Sequence, residues 1–303
     1  MIRLSPPSDI WHCGIIHAPI DVVVRTTTDK WADLGVTWLP KQAPFCFIAD
    51  PFGIWVNGAL TVFVEAYDYR NKRGHIAYYQ YNADFTLKSY GTALKMPFHL
   101  SYPQIIADGN EIYMLPEAHQ SGKLALYRAA QFPHSWEAIA TILDTPAIDA
   151  TLLQVGKIWH CYYSLPDAPL STLYHASSES LLSQFITKTK QPFILLDKKA
   201  RMGGTPFTIE NQLHLPLQNS ITTYGGNVVL YPLKDPATSP TLAANTSSLH
   251  SIHAGNWSAP YCDGLHTLSE AGGVTLFDVK RIYRSPMRHL INMQRRVRRL
   301  VIR

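Results

Sequence analysis

The chain has 303 residues, of which 46% are hydrophobic, 11% aromatic and only 16% charged. This composition excludes a disordered protein and fits a large β-rich core. The formal net charge is +5, yet eight arginines and no acid stand between Arg281 and Arg303, so the remainder is slightly acidic. No nucleic-acid partner is therefore expected for the body.

Cys13, Cys46, Cys161 and Cys262 lack metal-ligand spacing, and most lie in apolar strand-like runs, where free cysteine behaves as a small hydrophobe. The opening MIRLSPPSDIW has no apolar leader core, and no run is long enough to span a bilayer. The expectation is a reduced, cytoplasmic protein with no cofactor and no metal.

In chain order, Ser8 to Val24 reads as a strand with polar interruptions, suited to closing a ring of sheets by pairing into the last one. His12 and His17 within it read as core or rim residues. Cys46 to Ala66, CFIADPFGIWVNGALTVFVEA, is two β-rich runs around Asn57-Gly58, and Asn-Gly is the strongest short hairpin signal because a type I′ turn needs φ > 0 twice. The polar loop Tyr67 to Gly74 is expected on a rim. Ser101 to Ala118 repeats the hairpin around Asp108-Gly109-Asn110, and Asp50 to Glu65 has the same spacing as Tyr102 to Glu117. Weaker copies begin at Asp149, with a turn at Gly156; at Arg201, with a turn near Asn211; and at Asp263, with Gly272-Gly273. Ser178 to Thr189 leaves room for a short helix, and Asp235 to Asn245 is loop-like.

Starts about fifty residues apart in strand-rich repeats point to propeller blades. The expected fold is all-β, a five-bladed β-propeller over 1–280, followed by a basic amphipathic helical tail over 281–303. A β-sandwich whose hairpins share turn chemistry is the alternative. In the tail, Ser285-Pro286 is a helix start, and Met287, Leu290, Met293, Val297 and Leu300 follow at helical spacing between arginines. Such a helix either packs on the propeller or meets an anionic membrane surface through 286–303, which would make the protein peripheral at the inner face of a membrane.

Residues that open propeller repeats surround a common axis. Asp50, Tyr102, Asp149, Arg201 and Asp263 or His266 are thus expected around one pocket, with His99 beside Tyr102. Carboxylates, aromatics, an arginine and histidines suit a sugar, and paired carboxylates are what glycoside cleavage needs.

The blocks WLPKQAPFCFIADPF, FHLSYPQIIADGNEIYMLPEA, LALYRAAQFPHSW, IDATLL, ARMGG, LQNSITTYGG and DGLHTLSEAGG, spanning Trp38 to Asp278, resemble the N-terminal propeller domain of glucosamine inositolphosphorylceramide transferases. The wider similarity is to the five-bladed propeller glycoside hydrolases of families 43 and 32. The resemblance carries the family's motif places onto Asp50, His99, Tyr102, Glu117, Asp149, Arg201, Gln218, Tyr224 and His266. It implies Asp50, Glu117 and Asp149 as catalytic candidates, and His99, Tyr102, Arg201, Gln218, Tyr224 and His266 as substrate-binding ones. Family 43 enzymes carry an acid Glu where this chain has Arg201-Met202-Gly203-Gly204, and family 32 enzymes a second Asp where it has Tyr102-Pro103. The expected partner is a glycan or lipid-linked sugar, cleaved or transferred in the axial pocket. The alternatives are a non-catalytic glycan-binding propeller and an adaptor that uses its rim.

Overall fold

The computed structural model describes residues 5–238 and 249–301, without the side chains of 298–301. It contains five antiparallel sheets arranged as propeller blades. Blade one is Cys46–Val56, Ala59–Asp68, Arg73–Tyr81 and Leu87–Leu94. Blade two is Ser101–Asp108, Glu111–Glu117, Leu124–Gln131 and Ser135–Leu143. Blade three is Ile148–Val155, Ile158–Ser164, Thr172–Ser178 and Ile194–Leu195. Blade four runs through Arg201–Met202, Gln212–Asn219, Asn227–Leu233 and Ser251–His253, with Phe207–Ile209 also paired on Gln212–Asn219.

Blade five joins the two ends of the chain. Leu268–Glu270 and Thr275–Arg284 pair with each other, and Pro7–Ile16 then pairs with Thr275–Arg284 from Pro7↔Arg284 to Ile16↔Thr275. Val36–Trp38 completes the sheet. The expected N-terminal closure is therefore present, but the strand is shorter than Ser8 to Val24. Ile20–Arg25 is a helical turn: Pro19 precedes it, Ile20, Val23 and Val24 face inward, and the Thr26 N–H closes on the Val22 and Val23 carbonyls. Alternating polarity ends at Ile16, and the three-and-four spacing after it wins.

The turns expected at Asn57-Gly58, Gly156 and Asn211 carry positive φ, as do Gly272 and Gly273. The equal offsets to Glu65 and Glu117 are equal strand registers, Ala49↔Glu65 in blade one and Ser101↔Glu117 in blade two. Ser178 to Thr189 holds no helix. Ser177 instead exchanges backbone hydrogen bonds with Ile186, a chain reversal that leaves no room for helical turns. Of the loop from Asp235 to Asn245, residues 239–245 lie outside the described residues.

The core is divided among the seams between blades. One apolar cluster joins blades one and two through Phe63, Met114 and Trp136, and another joins two and three through Leu126, Leu152 and Phe185. Further clusters lie between three and four, four and five, and five and one. This packing fixes the blades against each other and hence the spacing of residues around the axis. His12 stacks on Trp38 and Tyr261, and His17 on Phe85. Both serve packing.

Ser285 starts the last helix, Met287–Val301, its Oγ accepting the Met287 N–H at 3.3 Å. The side chains of Arg298, Arg299 and Leu300, and all of Arg303, lie outside the described residues.

Candidate functional site

The three best-formed repeats enter the axis through the same local device. Asp50, Tyr102 and Asp149 all have positive φ, at +52°, +46° and +44°, and each sits where the strand register shifts by a bulge. A bulge re-aims one side chain out of the alternating pattern, and a non-glycine residue in the left-handed region is strained enough to need support. Hydrogen bonds along the axis supply it. The Asp50 N–H donates to Asp278 Oδ2 at 2.9 Å, and the Tyr102 N–H to Asp50 Oδ2 at 3.2 Å. The Tyr102 hydroxyl lies 2.9 Å from Thr151 Oγ1, accepts from the Gly204 N–H at 2.8 Å and lies 3.1 Å from the Gly204 carbonyl. One tyrosine thus links blades two, three and four.

Above this layer a cavity of about 360 Å³ opens on the axis, within the range of small-molecule sites. Of the residues singled out from sequence, Asp50, His99, Glu117, Arg201, Tyr224 and His266 line it. Tyr102, Asp149 and Gln218 lie beneath, 0%, 1% and 1% exposed. Asp263 is elsewhere, accepting the Ile282 N–H. His266 is blade five's contribution.

One side of the cavity is an ion-pair cluster. Arg201 donates through Nε and Nη2 to Asp149, the latter at 3.0 Å, and its Nη2 lies 3.4 Å from Glu117 Oε2. Gln218 Nε2 donates to Asp149 Oδ2 at 2.8 Å, and His119 Nδ1 lies 2.7 Å from Glu117 Oε1. Burial alone would raise Glu117, but the His119 hydrogen bond and the Arg201 guanidinium outweigh it and hold the carboxyl below its ordinary value. Asp149 is pushed up to about 6 by burial, against the pull of Arg201.

The other side has no arginine. Asp50 Oδ1 accepts from the Thr267 hydroxyl at 3.1 Å and lies 3.7 Å from His266 Nε2. Burial lifts Asp50 to about 6, even though His266 pulls it down. Asp278 anchors this corner: its oxygens accept the N–H groups of Asp50, His266 and Thr267 and face His266 Nδ1 at 2.7 Å. Asp50, His266 and Asp278 have spacing compatible with a metal ion, but so many donors on Asp278 make it a hydrogen-bonded pivot. Between the two corners, Glu65 is raised well above its ordinary value by burial and then by Asp50 and Glu117. Its Oε1 lies 3.5 Å from His99 Nε2, while His99 Nδ1 accepts the Gly74 N–H at 2.8 Å. Burial lowers His99 to about 4, so the imidazole is held toward its neutral form beside a Glu65 carboxyl that burial raises.

Several lining residues were not singled out from sequence. Asp9 and Trp11 arrive on the closing N-terminal strand, and Trp11 stacks on His266 at 3.7 Å. Tyr67 and Tyr69 come from the loop expected on a rim, and His119 follows Glu117. Lys280, wholly buried, donates to Asp9 at 3.1 Å, to Thr223 at 3.0 Å and to the Tyr224 carbonyl, holding that wall together. An aromatic in the ring-closing strand was the available signal for Trp11. The lysine gave none. Together these groups present carboxyls shifted in different directions, one fixed guanidinium and aromatic walls, a set that can orient hydroxyls and move a proton.

Residues 36–239 match the family described as Glucosamine inositolphosphorylceramide transferase 1, N-terminal. The protein of that name from Oryza sativa subsp. japonica is 34% identical over 202 residues, which are 63% of this chain and 27% of the relative. Its Arabidopsis thaliana counterpart is 31% identical over 242 residues, 72% of this chain and 31% of the relative. The chain thus spans under a third of the length of these relatives. Among solved structures, a glycosyl hydrolase from Bacteroides ovatus superposes with TM-score 0.53 at 10% identity, covering 79% of this chain and 87% of that one, a likeness of fold.

Proposed function

This chain belongs to the glucosamine inositolphosphorylceramide transferase 1, N-terminal family, and we propose that its propeller is a carbohydrate-active enzyme that cleaves or transfers a glycosyl unit of a glycolipid in the axial cavity. The observation that carries this reading is the split between two cavity-lining carboxyls, Asp50 raised to about 6 and Glu117 held low. Environments that push two carboxyls apart assign an acid and a base. Asp50 gives its proton to the leaving glycosidic oxygen as that bond to the anomeric carbon breaks. Glu117 takes the proton of the hydroxyl, of water or of an acceptor, whose oxygen forms the new bond. Arg201 and the neutral His99 hold sugar hydroxyls, Trp11 and Tyr224 face the ring, and Asp149 with Gln218 positions Arg201.

A second reading, glycan capture without turnover, is favoured by one observation: both oxygens of Glu117 are engaged, by His119 and Arg201. Screening a glycan and glycolipid array and then following the hits by mass spectrometry separates the two. Turnover lost in both Asp50→Asn and Glu117→Gln supports the enzyme. Binding without product in the parent protein supports capture.

A further inference from the structure

The helix Met287–Val301 is mounted with its apolar side outward. Its buried side carries Ile291 and Arg288, 6% and 7% exposed. The Arg288 guanidinium stands 4.1 Å over the Tyr69 ring, and Arg295 Nη1 donates to the Tyr69 carbonyl at 3.3 Å. Tyr69 lines the axial cavity, so the helix lies on the cavity's own rim. Met287, Leu290, Met293 and Val297 point away from the protein, 53%, 46%, 57% and 53% exposed. A helix on a globular protein normally turns such a stripe to the core and its arginines to water. Here the arrangement is reversed.

We propose that this helix docks the propeller on an anionic lipid bilayer, its apolar stripe entering the headgroup boundary and its rim position turning the cavity toward the membrane. This rests on the reading of the substrate as a glycolipid, whose headgroup lies in that plane. Charge complementarity selects the occupant. From Arg281 to Arg303 there are eight arginines and no acid, and Arg284, just before the helix, and Arg296, on it, are exposed. A second copy brought against the same face would set these cations against their equals, whereas anionic headgroups neutralise them. The helix is too short and too charged to cross the bilayer, and among the described residues no helix is long and apolar enough to do so. It lies on the surface.

The test uses the full chain and sedimentation with two kinds of vesicle, phosphatidylcholine alone and two parts phosphatidylcholine to one part phosphatidylglycerol. Binding to the second, absence from the first and release as salt rises are expected, since screening shortens the reach of charge to about 10 Å at 0.1 M. The variant Met287→Ser/Leu290→Ser/Met293→Ser/Val297→Ser changes side chains that stand about half exposed and outside the blade cores, so its melting temperature is expected to stay close to the parent's. Its vesicle affinity is expected to fall on the order of 10-fold or more, from the area lost to the lipid. A parent that stays in solution with the anionic vesicles, or a variant that binds them equally, overturns the proposal. So does a parent dimer, seen by light scattering, that the four serines dissolve, because the stripe would then cover a second copy. Binding of soluble headgroup glycans separates this from the functional reading: vesicle capture without any glycan binding keeps the docking and removes the substrate.

Discussion

The two corners of the axial cavity push chemically similar carboxyls in opposite directions. Beside blades two to four, Glu117 faces Arg201 and His119 and is held low. At the seam of blades five and one, Asp50 contacts a histidine, a hydroxyl and a backbone N–H and feels Arg201 only at a distance, and burial lifts it to about 6. The difference lies in which blade supplies a cation. Blade four opens on Arg201, where a propeller with a carboxyl at that place would have a different distribution of protons.

Removing the transferable proton is the most severe change to the Asp50 corner. Asp50→Asn keeps size and much of the hydrogen bonding while removing the transferable proton, so turnover of an identified glycoside is expected to fall by about 10² to 10⁴-fold. Circular dichroism is expected to show an intact fold. Near-normal turnover would reduce Asp50 to a support for the Tyr102 backbone.

Removing the cation should erase the difference between the corners. Arg201→Met leaves Asp149 and Glu117 buried without their guanidinium, and breaking a buried pair typically costs about 3 to 5 kcal/mol. Urea unfolding measures this, and the additional substitution Asp149→Asn is expected to recover part of the loss. A loss below about 1 kcal/mol, the scale of a surface ion pair, would mean that water reaches the cluster.

Tyr102→Phe tests the layer that carries both corners. It strips the hydroxyl from the Gly204 N–H and carbonyl and from Thr151, with an expected cost of about 1 to 3 kcal/mol for buried groups left unpaired. The same unfolding experiment reads it.

The finest test is the sign of the pH dependence. A folded carboxyl raised above its unfolded value favours folding below the unfolded value, and that contribution disappears as pH rises through the folded one. For Asp50 the window runs from about 4 to about 6. Asp50→Asn should therefore melt at or above the parent at pH 7, with the gap narrowing toward pH 4. Glu117 is lowered, so its contribution is present above the unfolded value and lost on acidification. Glu117→Gln should melt below the parent at pH 7, and its deficit should shrink as acid protonates the parent's carboxylate. Thermal melts across pH 4 to 7 that move the two variants in the same direction would end the distinction.

Legibility in the sequence followed the repeats. Asn57-Gly58 exposed the first hairpin, and the equal offsets to Glu65 and Glu117 exposed the second as its copy, because a bulge and its register leave a fixed residue count. The opening positions then led to Asp50, Arg201 and His266. What stayed hidden came from outside the repeat logic. Tyr67 lies near the end of a strand and Tyr69 just beyond it, next to an exposed polar turn, and Lys280 reads as a surface residue until the Asp9 carboxylate meets it across the closing strand. Opening position also fails to tell the lining from the layer beneath, as Tyr102 and Asp149 show. In the tail, periodicity revealed a stripe and a basic side but carried no information about which of them meets the protein. Tyr69 decides that, by offering a ring to Arg288.

The pairing of Pro7–Ile16 with Thr275–Arg284 has a temporal consequence. On the ribosome the first strand emerges long before its partner, and the loop between them carries the other four blades. Closing a loop of that length carries a large entropic cost, and contacts of such sequence separation slow folding. Asp9 and Trp11 ride on that strand. The cavity therefore acquires one wall only after Thr275–Arg284 has been made, and a nascent chain that already holds the other four blades still has an open axial cavity.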